Sequence, residues 1–196
     1  MNNKKLLYNP LIIMGLIFTA IFTAVNLNRI VKAESIFGET DINKENMIAI
    51  ATPGGLLGYS LVLLEQVPDG RPCWEENGNN PTFIDPLLLT YDDFSKDCKR
   101  GTDSNAFSIR LDNEELRSYL LRIVEDNDEL LLVGRHIRVG TEPDIVIGRT
   151  KGMSDNSNHL LKIFLDPGWK FTKRTYDGET LSHTYISGDS SLIEQY

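Results

Sequence analysis

This 196-residue chain has two cysteines, Cys73 and Cys98, and three histidines, His136, His159 and His183. The cysteines do not form a C-x-x-C pair, and no histidine has a partner two or four residues away, so zinc has no local signature. There is no G-x-S-x-G elbow, no phosphate-cradling glycine loop and no dinucleotide fingerprint. Thr52-Pro53-Gly54-Gly55 reads as a turn, because no helical pattern follows it. Helical periodicity is also scarce: only NEELRSYL, residues 113–120, has a helical flavour. Basic charge is short, with 20 Lys and Arg against 28 Asp and Glu. That balance argues against DNA, RNA or an anionic lipid surface as main partner, because phosphate repels such a field.

The N-terminus begins with Lys4 and Lys5, continues with an apolar run from Leu11 to Val25, and reaches Val31-Lys32-Ala33, with small residues where signal peptidase inspects the chain. Residues 1–33 are therefore expected to be a signal peptide cut after Ala33. An uncleaved anchor is the alternative, since the apolar segment has roughly the length that spans a bilayer, and it would be the chain's only contact with a membrane. In either case the rest is exported, to the periplasm, the cell envelope or the outside. The leader holds four basic residues and no acidic one, which leaves 16 against 28 and a formal charge of −12 for the exported part.

Residues 34–46 read as a polar lead-in, and 47–196 as one domain large enough for a real core. From Met47 the apolar residues come in short runs, among them MIAIA, YSLVLLEQV, FSIRL, ELLLVG and LLKIFL, bounded by Gly, Pro, Asn and Asp. The expected class is all-β: an antiparallel β-sandwich or open barrel with at most a short helix. Two hairpins stand out. One turns at Asp126-Asn127-Asp128; the other at Asp177-Gly178, a dipeptide suited to a type I′ turn between arms rich in Thr and Tyr.

Export and the even count predict a Cys73–Cys98 disulfide rather than a thiol nucleophile paired with a distant histidine. The acidic clusters Asp92-Asp93 with Asp97, and Asp126 with Asp128 and Glu129, could hold calcium through oxygen ligands, although neither has EF-hand spacing. No other cofactor or metal is indicated. Aromatic residues give the remaining signal. Trp74, in a loop rich in Asn and Gly, is a candidate ligand contact. Alternation about the Asp177-Gly178 turn puts Lys170, Thr172, Arg174 and Tyr176 on one face with Leu181, His183 and Tyr185, and Trp169, Phe171 and Ile186 on the other. The second set is expected in the core. Within the first, Lys170, Arg174, Tyr176, His183 and Tyr185 form a candidate binding face for a glycan or protein; the competing reading is that its tyrosines cover a sheet and its charges are solvated.

The segments RPCW (71–74), DPLLL (85–89), TDSNAFSIR (102–110) and LDPGWKFTKRTYDGETLSH (165–183) resemble the secreted cyanobacterial family catalogued as domain of unknown function 3747. The resemblance covers nearly the whole exported chain, and the last segment is its most specific part. It implies a domain that follows a signal peptide and sometimes accompanies S-layer homology domains, hence an envelope or extracellular setting; it implies no activity, cofactor or catalytic residue. The expected function is thus a non-enzymatic binding or structural role in the envelope. The alternative is a hydrolase of envelope glycan or peptide, for which 28 acidic residues make any pair of carboxylates uninformative.

Overall fold

The computed structural model describes residues 36–55 and 58–193; the signal-peptide or anchor segment of residues 1–33 lies outside the described residues. Two sheets make up the fold. The smaller has the order β1 (Gly38–Asp41), β13 (Lys170–Tyr176), β14 (Glu179–Gly188), β7 (Phe107–Leu111), β8 (Glu114–Glu115). The larger runs β6 (Cys98–Gly101), β3 (Gly58–Gln66), β2 (Met47–Gly55), β12 (Leu161–Leu165), β11 (Ile145–Arg149), β10 (Glu129–His136), β9 (Tyr119–Asp126). The short pair β4 (Glu75–Asn77) and β5 (Phe83–Asp85) branches from β12. The all-β expectation holds, with one departure from a purely antiparallel pattern: β14 and β7 run parallel.

The main core lies where Phe107, Ile109, Trp169 and Ile186 of the small-sheet side meet Leu63, Ile123, Leu132, Ile147 and Ile163 of the large sheet. Alternation along FSIRL explains β7, whose Phe107, Ile109 and Leu111 join this core while Ser108 and Arg110 point the other way. The two layers approach closely at Gly134 of β10, where an added Cβ would lie 2.5 Å from Cδ1 of Ile109, so a side chain there would collide with the facing sheet.

The runs MIAIA and SLVLL are almost continuously apolar because the large sheet is covered on both faces in that region. Ala49, Ala51 and Leu63 face the main core, whereas Ile48, Ile50 and Leu64 face a second cluster with Ile84, Leu88, Cys73 and Cys98. Cys73 and Cys98 are joined by a disulfide. At a sequence separation of 25, loop closure stabilises the fold by about 3 kcal/mol on the chain-entropy account. The stretch between them is held further by Arg71, which donates from Nε and Nη2 to Asp97 at 2.9 and 2.7 Å and stacks 3.9 Å above the Tyr91 ring.

Three local expectations change. The lead-in of residues 34–46 contributes β1, which pairs with β13 as an edge strand, and a 3-10 turn at Lys44–Asn46 capped by Asn43. Thr52–Gly55 is the end of β2, with a register shift between Pro53 and Gly55. The helical flavour of NEELRSYL is overridden: Asp112 and Asn113 take φ of 45° and 71° and turn β7 into β8, after which Tyr119 starts β9. The Glu-Glu-Leu-Arg run has helical propensity, yet its Leu116 reaches the main core from a strand-turn-strand path.

The Asp177-Gly178 hairpin forms as expected, with φ of 49° and 82° and Tyr176 paired with Glu179. Space is open around Gly178, so replacing it by valine should act through backbone strain alone. The expected loss is about 1–2 kcal/mol, measured by urea unfolding; an unchanged midpoint would contradict the turn assignment.

Candidate functional site

The C-terminal hairpin organises one face of the small sheet. Along β13 and β14 the register passes from Lys173–Thr184 to Thr175–Thr180, so two steps on β13 correspond to four on β14. A slip of two keeps side-chain parity, whereas a slip of one would flip the strand over. Trp169 and Ile186 accordingly sit in the main core with Phe171 against it, as alternation implies, and the polar set falls on the opposite face.

That face is not an open docking surface. Tyr185 is 0% exposed and His183 8%. The reason is the neighbours that topology supplies: β7 brings Ser108 and Arg110, β8 brings Glu115, and β1 brings Glu39. Arg174 donates from Nη2 to Glu115 Oε1 at 2.6 Å and from Nε to the Tyr185 hydroxyl at 2.5 Å. The guanidinium groups of Arg174 and Arg110 each lie 4.9 Å from the Tyr185 ring. Arg110 Nη2 donates to the Phe37 carbonyl at 2.9 Å, and its Nε is 3.5 Å from Glu39 Oε2. Ser187 and Thr172 hydroxyls donate to the same Glu39 oxygen. Lys170 and Tyr176 remain exposed, the first paired with Asp41 at 2.6 Å and the second beside Phe37. Of the five residues expected on a binding face, the buried His183 and Tyr185 and the half-buried Arg174 come together as one network, and Lys170 and Tyr176 flank it in solvent.

Histidine 183 connects this network to an open groove. Its Nδ1 is 2.9 Å from the Asn105 carbonyl, and its Nε2 is 2.9 Å from Ser108 Oγ, which also lies 2.7 Å from Glu115 Oε1. A carbonyl can only accept, so Nδ1 carries a hydrogen, and Nε2 of the neutral ring is a second acceptor beside Glu115 Oε1, to which Ser108 donates its single hydrogen. Burial pushes the His183 pKa below its ordinary value; the Asn105 carbonyl pulls the other way, Arg174 adds to the depression, Glu115 opposes it and Lys173 adds again. The unfolded chain therefore takes up the proton first. The stability contribution is present above the unfolded value near 6.5 and is lost as pH falls to and through the folded value. His183→Gln should flatten the decline of urea-unfolding stability between about pH 7 and 5; identical slopes in variant and wild type would remove His183 as its source.

Ser108 and Glu115 form part of the wall of a groove of about 630 Å³ between β3, β9 and the β7–β8 edge. Tyr59 and Ser60 enter from β3, Tyr119 and Arg122 from β9, and Thr102, Ser104 and Arg117 from the connecting segments. The Tyr119 hydroxyl donates to Glu142, and burial followed by that carboxylate pushes its pKa up to about 12. Arg122 and Arg117 are exposed, the second 3.9 Å from Glu115. Sequence reasoning missed this groove, since its walls come from separate strands; Ser108 lies in the quoted TDSNAFSIR segment, which was the one available signal.

Trp74 lies away from the groove. It packs against the disulfide cluster, with its indole nitrogen 3.3 Å from Glu76. Three members of the acidic clusters have local partners: Asp97 binds Arg71, Asp93 accepts from the Ser95 amide and hydroxyl, and Glu129 pairs with Arg149 at 2.9 Å. Among the described residues no three His, Cys, Asp or Glu side chains gather as a metal site. The disulfide removes the thiol needed for a cysteine–histidine pair.

No curated protein and no solved structure matches this chain. A family model described as protein of unknown function (DUF3747) matches residues 13–191, nearly the whole length, and the chain belongs to that family.

Proposed function

We propose that the chain is an exported cell-envelope domain with a non-enzymatic binding role, and that the groove between β3, β9 and β7–β8 holds an envelope glycan. Export is supported by the disulfide and by the charged, apolar and small-residue order of the N-terminus. The observation that carries the binding role is the groove lining: two tyrosines, Tyr59 and Tyr119, beside Arg117, Arg122 and the hydroxyls of Ser60, Thr102 and Ser104. Tyrosine rings offer apolar faces to the C–H side of a sugar, and arginines and hydroxyls supply the directional bonds to its oxygens. Arg117→Ala combined with Arg122→Ala, both exposed positions, should weaken retention on isolated envelope glycan at least tenfold while leaving the melting temperature nearly unchanged. A glycan array and pull-down with no wild-type retention, or retention that these changes leave intact, would oppose the proposal.

The Ser108–His183 contact favours a second reading, a serine hydrolase acting on envelope peptide or acylated glycan. Against it, the single Ser108 hydrogen faces two acceptors, and Glu115 is fixed by Arg174. Fluorophosphonate labelling of Ser108, lost in Ser108→Ala, would replace the binding reading with this one.

A further inference from the structure

A second concavity lies on the other side of the C-terminal motif. The chain leaving β1, the start of β2, strand β12 and the start of β13 enclose a cleft of about 530 Å³, inside the range of about 300–1,000 Å³ typical of small-ligand sites. Its chemistry differs from that of the groove. Apolar wall is supplied by Ile42, Phe164, Leu165, Trp169 and Phe171. Three lysines also line it: Lys44, Lys162 and Lys170. Lys162 binds Glu76 at 2.6 Å and Lys170 binds Asp41 at 2.6 Å, whereas Lys44 makes no ion pair among the described residues. Asp41 is the one carboxylate in the lining, and its side chain is 74% exposed.

An apolar aromatic wall with a cationic rim is complementary to a molecule with a hydrocarbon tail and a negatively charged head. We propose that this cleft binds a long-chain carboxylate, with the tail against Phe164, Trp169 and Phe171 and the head at the lysine rim. Charge selects the sign of the head, because a local excess of lysine stands in an exported chain of formal charge −12. Shape selects a single amphiphile over a bilayer surface: the lining residues enclose a cleft of about 530 Å³ rather than forming a flat apolar patch. Apolar walls offer nothing to the hydroxyls of a sugar, which separates this site from the groove. The lysines need not be freed completely, since a lysine ammonium has three hydrogens and can serve an internal carboxylate and a ligand together.

The test uses the purified protein and cis-parinaric acid as a fluorescent probe. Saturable binding at one site is expected, with displacement by palmitate and at least tenfold poorer displacement by uncharged methyl palmitate. Because Trp74 and Trp169 are the only tryptophans, a Trp74→Phe background lets Trp169 emission report cleft occupancy, and it should change with palmitate and not with inorganic phosphate. Lys44→Gln with Lys170→Gln, both exposed positions, should weaken palmitate at least tenfold at a nearly unchanged melting temperature, since an exposed ion pair contributes little to folding. Absence of saturable probe binding overturns the proposal. So does equal displacement by the methyl ester, which needs no variant, or displacement by inorganic phosphate alone.

Discussion

Tyr185→Ala is expected to lower the unfolding free energy by about 3–5 kcal/mol, the range for deleting a large buried aromatic. The side chain is 0% exposed. Its ring is flanked by the guanidinium groups of Arg110 and Arg174, each at 4.9 Å, and met edge-on by His183 at 5.2 Å. Alanine would remove the ring from between two cations and leave Arg174 Nε without the acceptor it reaches at 2.5 Å. Phenylalanine separates the two contributions: Tyr185→Phe keeps the ring and loses only the hydrogen bond from a charged donor, about 1.5–3 kcal/mol. Urea unfolding of both variants, followed by far-UV circular dichroism, measures the effects. An alanine loss below about 1 kcal/mol would mean that the face is open and would return Tyr185 to the docking residues.

The same residue shows what was legible in the sequence. Period-two alternation and the Asp-Gly turn were enough to place Tyr185 and Arg174 on one face and Trp169 and Ile186 on the other, because both signals are local. Whether that face meets solvent depends on β7, β8 and β1, which reach it from distant parts of the chain, one of them by a parallel pairing that no turn motif announces. The disulfide was legible from the even count together with the expectation of export. The lead-in strand β1 was not, since GETD is polar and short and forms a strand only because the edge of β13 is there to pair with. NEELRSYL failed in the opposite direction: its propensity is helical, but positive φ at Asp112 and Asn113 commits the chain to a hairpin before a helix can start. Neither concavity could be read from a linear pattern, although Trp169, Lys170 and Phe171 of the cleft all belong to the quoted LDPGWKF stretch.

Lys173 is the position where alternation and residue type conflict, and it carries the second large expected effect. It sits one step from Arg174, on the side of β13 that faces the large sheet, and is 7% exposed. Its ammonium donates to the Ser182 carbonyl at 3.1 Å and to Thr184 Oγ1 at 2.9 Å, and lies 2.7 Å from Glu65 Oε2 as an ion pair, the closest compensation for a buried oxygen that accepts no hydrogen bond. Glu65 belongs to β3, so the pair ties the small sheet to the large one. Lys99, at 3.7 Å from the other Glu65 oxygen, is 57% exposed and a weaker partner. Lys173→Met should therefore cost about 3–5 kcal/mol, because a carboxylate whose side chain is only 14% exposed is left without its near cation. Adding Glu65→Leu removes that stranded charge and should restore most of the loss, since a well-packed apolar pair is often as stable as a buried ion pair. The double-mutant cycle by urea unfolding decides the matter: a double variant as unstable as the sum of its single changes would show that the two sheets are not coupled through Lys173 and Glu65.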